Sequence, residues 1–407
     1  LSGTKKTQEK VHNKKSELHN TKLKDIEIHQ DYSDDDENWD DIDDMTIKSI
    51  LAICTIIFLF LSSGLIYIAW NNWWNDELIG PGTFLTSRQE NYEKLTNFHE
   101  IELNGDGVIV CIVDSGIDLT HPDLSDIKLE GWKDFVNSRT DIYDDQGHGT
   151  MMAGIMVAKG GLTGLATEVK LLIAKALSID GTGTDQDVSD AINWCVSNNA
   201  DIISLSLGGA PGVLPSLLGG DAVENSVEEA IDLGIFVVAA AGNDGEEEND
   251  DDVNSPCSVE DVICVGGVGI EGDIWSGSSK GSNNFQLIPP KLSRQDPDKK
   301  PELVAPAESV PVLISTNSGS NEPSQNTYGT ASGTSAATVY ASSALALMLQ
   351  ANPDLSRNGT EGGSLETIEQ VKQWIKESVL PKNNQEEHDD YYGYGILQVD
   401  SLINRAT

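Results

Sequence analysis

From about residue 99 to the C-terminus, short apolar runs alternate with longer helix-like stretches, and this alternation limits the folds open to the 407-residue chain more than any other feature. The runs Val108–Val113, Val169–Ala174, Ile202–Leu207, Ile235–Ala239 and Val262–Val265 read as buried parallel strands. The stretches Asp187–Asn198, Val223–Leu233, Ser335–Gln350 and Thr367–Ser378 read as helices. Strands and helices joined in turn by Gly-rich connections predict an α/β fold, a mostly parallel sheet flanked by helices. An apolar share of 38 % and 38 glycines exclude a fully disordered chain, a coiled coil and a disulfide-stapled miniprotein. The formal charge of −40 argues against nucleic acid as a partner, because a phosphate backbone needs a basic surface.

The first hundred residues are of a different kind. Residues 1–46 are polar, and nine of the fourteen positions 31–44 are Asp or Glu, which predicts an acidic disordered tail. Ser49–Trp70 then runs 22 residues without a charge, enough at ~1.5 Å per residue to span about 33 Å of hydrocarbon. A cleaved signal peptide would begin earlier and end at small residues. Here Tyr67, Trp70, Trp73 and Trp74 form an aromatic group at the far end, the mark of a retained anchor in contact with the lipid bilayer. Eight lysines, from Lys5 to Lys48, precede the run, and no Lys or Arg follows it before Arg88. That asymmetry predicts a cytoplasmic N-terminus and an extracytoplasmic remainder.

Three motifs carry chemistry. The strand Val108–Val113 runs into Asp114-Ser115-Gly116, which places a carboxylate just past a buried strand, where it can hold an imidazole. Gln146-Gly147-His148-Gly149-Thr150 precedes the helix-like stretch from Met151 to Ala158 and leaves His148 free of bulky neighbours. Gly333-Thr334-Ser335 opens a long apolar helix, whose free N–H groups and dipole favour negative charge developing on Ser335. Alone, each has an ordinary structural reading: a loop, a surface His, an N-cap Ser. Together, in the order Asp, His, Ser, they supply the nucleophile, base and orienting acid that amide hydrolysis needs.

On these motifs, with His121-Pro122-Asp123-Leu124 and Tyr392-Gly393-Tyr394-Gly395-Ile396-Leu397 at the end, the chain resembles the subtilisin-like serine proteases over about 300 residues. The resemblance implies a subtilisin-like three-layer fold, preceded here by one transmembrane helix, and a serine endopeptidase that hydrolyses peptide bonds in proteins and peptides. The domains are then a tail at 1–46, an anchor at 47–70, a linker at 71–98 and a peptidase domain at 99–407. Asn243 matches the family's oxyanion-hole residue. Ser206, Leu207, Gly208 and Gly209 match one wall of the primary specificity pocket, with Asp244 at its rim. Gly181, Thr182 and Gly183 match the edge that pairs with an extended substrate backbone. The chain departs from the family pattern at Ala336, Val339 and Met151, none of which costs a catalytic atom. The 28 residues of the linker are too few for a folding prodomain, so none is expected there.

The chemistry requires no cofactor, while structural calcium is left open. Asp123 matches a calcium-ligating Asp of the family, yet the stretch His148–Gly164 is too short for the partner loop, and no calcium is expected at that site. The acidic segment at 244–252 could offer hard oxygen ligands, although it lacks the alternation of a tuned calcium loop. Of the five cysteines, Cys54 falls in the anchor, and Cys111 and Cys195 read as buried, inert thiols. Cys257 and Cys264 flank a short segment, so a bridge between them is open.

Overall fold

A computed structural model describes residues 44–208, 221–247, 252–287, 290–316, 327–382 and 385–407; the acidic tail up to residue 43 lies outside them. The chain divides into two units, residues 1–68 and 69–407. The helix α1 (Asp44–Ile79) starts in the first unit, and its stretch Met45–Ile68 is long and apolar enough to cross a membrane. Phe58, Leu59, Phe60 and Leu61 are exposed on successive positions, so this stretch is apolar all round rather than on one face. The helix runs past Trp70, the expected end of the anchor.

The second unit begins its ordered packing earlier than residue 99. Within the stretch read as a linker lies α2 (Thr83–Leu95), whose Tyr92 is fully buried and meets Tyr340 edge-on at 6.5 Å. Arg88 on the same helix donates from Nε to the Ser309 carbonyl at 2.6 Å.

In chain order there follow β1 (Ile109–Asp114), β2 (Leu129–Asp134), α3 (His148–Val157), β3 (Lys170–Lys175), α4 (Asp185–Ser197), β4 (Ile202–Leu205), α5 (Ala222–Asp232), β5 (Phe236–Ala240) and β6 (Ile263–Val268). A short pair, β7 (Gln286–Leu287) and β8 (Pro290–Lys291), leads to β9 (Leu303–Pro306), β10 (Val310–Leu313) and β11 (Tyr328–Ala331). The helices α6 (Thr334–Ala351), α7 (Leu365–Ser378) and α8 (Val399–Ala406) complete the unit. Seven strands form one sheet in the order β2-β3-β1-β4-β5-β6-β9, and every neighbouring pair is parallel. The inner strands are buried along almost their whole length, as a sheet covered on both faces requires. Helices α3 and α6 pack on one face, α4 and α5 on the other, giving the three expected layers. The segment Tyr394–Leu397 hydrogen-bonds along β9 and covers that edge, with Val304 N–H donating to Gly395 O at 3.0 Å.

Cys111 and Cys195, expected as separate buried thiols, are joined in a disulfide. The packing of α4 beneath β1 brings two Cα atoms that are 84 residues apart to 5.8 Å. A second bridge links Cys257 and Cys264, and Cys54 is free and exposed.

The chain order fixes where a ligand can bind. After β1 the chain builds β2 and β3 on one side of it, then crosses to build β4, β5, β6 and β9 on the other. Opposite connections from β1 and β4 leave a crevice outside their carboxyl ends. Asp114 ends β1 and Ser206 follows β4, so two of the expected site residues stand at that crevice.

Candidate active site

Asp114 is fully buried at the last position of β1, in register with Lys175 at the end of β3. Its Oδ1 and Oδ2 lie 2.8 and 2.9 Å from Nδ1 of His148, the first residue of α3. Gly147 before it has φ +102°, a left-handed conformation that favours glycine. Gly149 after it lies against Gly116, and a Cβ there would sit 2.2 Å from the Gly116 carbonyl oxygen. The glycines of the two motifs therefore touch, and that contact brings the carboxylate to the imidazole.

The turn into α3 is organised by Asp144, a buried carboxylate one turn ahead of His148. Its Oδ1 accepts from Ser115 Oγ at 2.9 Å and from Gly147 N–H at 2.7 Å, and its Oδ2 accepts from Thr150 N–H at 2.8 Å. Behind Asp114, the buried Lys175 donates from Nζ to Asp145 at 2.7 Å and to the carbonyls of Ser115 and Leu177 at 2.6 and 2.8 Å. Burial alone would lower the His148 pKa. The charge and hydrogen bond of Asp114 and the charge of Asp144 outweigh it and hold the imidazole above its ordinary value. An imidazole so held leaves Nε2 to accept a proton from a hydroxyl.

Ser335 is the second residue of α6 and exchanges two hydrogen bonds with the end of β4: its Oγ donates to Ser206 O at 3.2 Å, and Ser206 Oγ donates to Ser335 O at 3.1 Å. No hydrogen bond joins Ser335 Oγ to His148 Nε2 in this state. Asn243 follows β5, and its Oδ1 accepts from Thr334 N–H at 2.9 Å and Thr334 Oγ1 at 3.0 Å. Fixing that oxygen leaves Nδ2 to donate elsewhere, beside the start of α6.

His148, Ser335 and Asn243 line one cavity of about 520 Å³, with Asp114 behind His148. Gly181, Thr182 and Gly183 border it on one side, Ser206, Leu207 and Gly208 on another. Gly209 lies outside the described residues. Asp244 also lines the cavity, and its Oδ2 accepts from Asn254 Nδ2 at 2.8 Å. Sequence reasoning did not single out Asp144, Lys175 or Asn254, and gave Asp145 no role beyond its place at the head of the His148 motif. The signal for Lys175 was there as the one charge closing an apolar strand, and for the two aspartates as an acidic pair separated by one residue, Gln146, from the Gly-His-Gly turn.

The donor set around Asp123 does not fit calcium. Its Oδ1 accepts from Gly161 N–H at 3.0 Å and Tyr328 OH at 2.8 Å, and its Oδ2 from Leu162 N–H at 2.9 Å. Hydrogen-bond donors occupy the directions from which a cation would approach. In the acidic segment, Asp252 is paired with Arg294 at 2.9 Å, and residues 248–251 lie outside the described ones. Among the described residues no group of three or more His, Cys, Asp or Glu is arranged to hold a metal.

Residues 105–395 match the model of the subtilase family. The chain is 32 % identical over 318 residues to the protein named serine protease AprX of Bacillus subtilis (strain 168), covering 74 % of this chain and 67 % of that one. It is 32 % identical over 310 residues to subtilisin E of the same organism (75 % and 68 % covered), and 34 % identical over 255 residues to its major intracellular serine protease (60 % and 69 %). With a parallel α/β sheet, an Asp–His pair and a helix-borne Ser facing one cavity, and a family match across most of the chain, this protein belongs to the subtilases, the subtilisin-like serine endopeptidases.

Proposed function

We propose that this subtilase is anchored in a membrane and cuts protein or peptide substrates with Ser335 as nucleophile, His148 as general base and acid, and Asp114 holding the imidazole. The observation that carries this reading is the Asp114–His148 pair at 2.8 Å opening on the same cavity as Ser335 and Asn243. For attack, the Ser335 hydroxyl leaves Ser206 O and turns to His148 Nε2, a change between staggered rotamers. Nε2 takes the proton as Oγ bonds to the substrate carbonyl carbon, then returns it to the leaving amine as the peptide bond breaks. A water molecule next gives its proton to Nε2 as its oxygen bonds to the acyl carbon, and that proton passes to Ser335 Oγ as the acid product leaves. Asp114 stabilises the imidazolium and fixes its tautomer. Asn243 Nδ2 and the Ser335 N–H receive the oxyanion, each such donor being worth ~2.7–4 kcal/mol of barrier. Gly181–Gly183 and Ser206–Gly208 offer main-chain partners to an extended peptide. These groups and one water molecule account for every proton the reaction moves, so the proposed chemistry calls for no cofactor.

The proposed arrangement is a tail at 1–46, an anchor at 47–70, a connecting segment at 71–98 that includes α2, and the peptidase domain at 99–407. The lysine asymmetry about the anchor supports a cytoplasmic tail and an extracytoplasmic peptidase domain. Two disulfides in that domain support the same side, since such bonds persist in oxidising compartments. Labelling of the full chain by a fluorophosphonate tests the mechanism: the label is expected on Ser335 and absent from Ser335→Ala. Equal labelling of the two proteins would refute the assignment. Protease added to intact cells should remove the chain after residue 70 and spare a tag at residue 1, and a digested tag reverses the orientation.

A further inference from the structure

Beside Ser335 the cavity is bounded by the segments that leave β4 and β5, two paired parallel strands whose axes lie about 4.8 Å apart. Ser206–Gly208 form one wall and Gly242–Asn243 the other. Asn254 lies between them: a Cβ on Gly208 would be 3.2 Å from Asn254 Cβ, and a Cβ on Gly242 would be 2.6 Å from Asn254 Nδ2. That Nδ2 donates to Asp244 Oδ2 at 2.8 Å, so the space between the walls holds an amide bonded to a carboxylate that itself lines the cavity. The neighbouring Ser255 donates from Oγ to Glu224 at 2.9 Å, and Asp221 borders the cavity at the start of α5. The described residues lining the cavity include Asp185, Asp221 and Asp244 and not one Lys or Arg.

We propose that this space selects a lysine or arginine as the residue preceding the scissile bond. The inference rests on the reading of Ser335 as nucleophile. If the carbonyl carbon meets Ser335 Oγ, its oxygen meets Asn243 Nδ2 and the leaving amine faces His148, then the side chain of the acyl residue has the space between Ser206–Gly208 and Gly242–Asn243 to enter. A long side chain lays its methylenes between the two peptide walls and brings its cation to Asn254 Oδ1 and the Asp244 carboxylate. A bulky apolar side chain covers that amide and carboxylate without replacing their water, and an acidic one meets Asp244 with like charge.

The test uses the full chain in detergent micelles and matched peptides that differ only in that residue: Lys, Arg, Gln, Leu or Glu. A partly exposed charge pair gives about 1.4- to 5-fold in kcat/KM. Asp244 should therefore favour Lys over Gln by about 1.4- to 5-fold at about 0.02 M salt, with Glu the slowest and the preference shrinking at about 0.5 M. Asp244→Asn should lower the Lys-to-Gln ratio by about 1.4- to 5-fold, and Asp244→Glu should restore it. Should the Asn variant not fold, the salt dependence in the unmodified chain decides, and a Lys-to-Gln ratio that does not shrink at about 0.5 M salt overturns the proposal. Equal cleavage after Lys and Gln by the unmodified chain overturns the proposal, as does a ratio that Asp244→Asn leaves in place. If no peptide is cut and no fluorophosphonate label is taken up, the reading of Ser335 fails instead.

Discussion

Exchanging Asp144 for Asn keeps the shape of a side chain that touches no substrate and removes one charge and one acceptor. Asp144 Oδ1 accepts from Ser115 Oγ, Gly147 N–H and Gln146 N–H at 2.9, 2.7 and 3.2 Å. Oδ2 accepts from Thr150 N–H at 2.8 Å and Thr150 Oγ1 at 2.5 Å. An amide has a single acceptor oxygen. Its cheaper placement puts the NH2 group at the Oδ2 position, where the Thr150 hydroxyl can turn to accept but the Thr150 N–H loses its partner. One orphaned buried N–H costs ~1–3 kcal/mol, and the remaining bonds weaken without the charge, so the variant should lose about 2–4 kcal/mol of stability. Its second effect is on His148. Only the neutral imidazole can take the Ser335 proton, so activity falls as the pH drops through the His148 pKa. The Asp144 charge helps to raise that pKa, and without it the acid limb of kcat/KM should move to lower pH. Stability follows the same sign. A raised native pKa stabilises the fold fully below the unfolded value of about 6.5, and that contribution is lost as pH rises through the native pKa. The deficit of Asp144→Asn should therefore be larger near pH 5 than near pH 8. Urea unfolding at both pH values and a pH–rate profile on one peptide measure the two effects. An acid limb that stays in place or moves up would refute the charge coupling, and an unchanged urea midpoint would refute the structural role.

Two further outcomes concern stability. Loss of the Cys111–Cys195 bridge, which spans 84 residues, should cost about 4.5 kcal/mol on chain entropy, against about 2.4 for Cys257–Cys264, which spans 7. Paired Cys→Ala variants compared in urea give the order, and a reversed order contradicts the argument. Tyr328→Phe should cost about 1–3 kcal/mol by taking a donor from buried Asp123. Because N–H and O–H donors fill that site, the cost of Tyr328→Phe should be the same with a chelator as with added calcium; a cost that calcium changes would count against it.

The sheet was legible because its inner strands are continuous apolar runs, but their ends were misplaced: β1, β3 and β5 were read one residue short, β6 three short, and β4 two residues long. Val108–Val113 and Val169–Ala174 stop where hydrophobicity stops, while the hydrogen-bonded ladder of β1 and β3 goes on to Asp114 and Lys175. Charges that a buried strand accepts at its carboxyl end mark the site, and Lys175 was missed for lying outside any motif. The strand β2, Leu-Glu-Gly-Trp-Lys-Asp, gave no signal, since an edge strand has no need of an apolar run. The helix α2 has little amphipathic pattern and attaches largely through Tyr92 and Arg88. Pairing of Cys111 with Cys195 depends on α4 lying beneath β1, a relation that only the completed sheet creates. Asp114, His148, Ser335 and Asn243 were legible because each falls where a strand ends or a helix begins, with small neighbours around it. The amide of Asn254 was not, because nothing in Val-Asn-Ser-Pro says that two glycine walls close around it.

Where one copy of a peptidase cuts another, the Cys111–Cys195 bridge bears on what the cut leaves behind. The span it closes holds two exposed stretches, 137–142 and 182–186, which a neighbouring molecule can reach. A cut in the first parts Asp114 from His148 along the chain. Yet Cys111 stays with Asp114, and Cys195 stays with His148 and Ser335, so the two pieces remain covalently one molecule with β1 seated between β3 and β4. A single cut at 137–142 thus yields a two-piece enzyme that keeps its cleft and migrates as a single band until it is reduced. A cut at 182–186, by contrast, breaks the edge that borders the cavity at Gly181–Gly183, and cuts at both release the piece that carries His148.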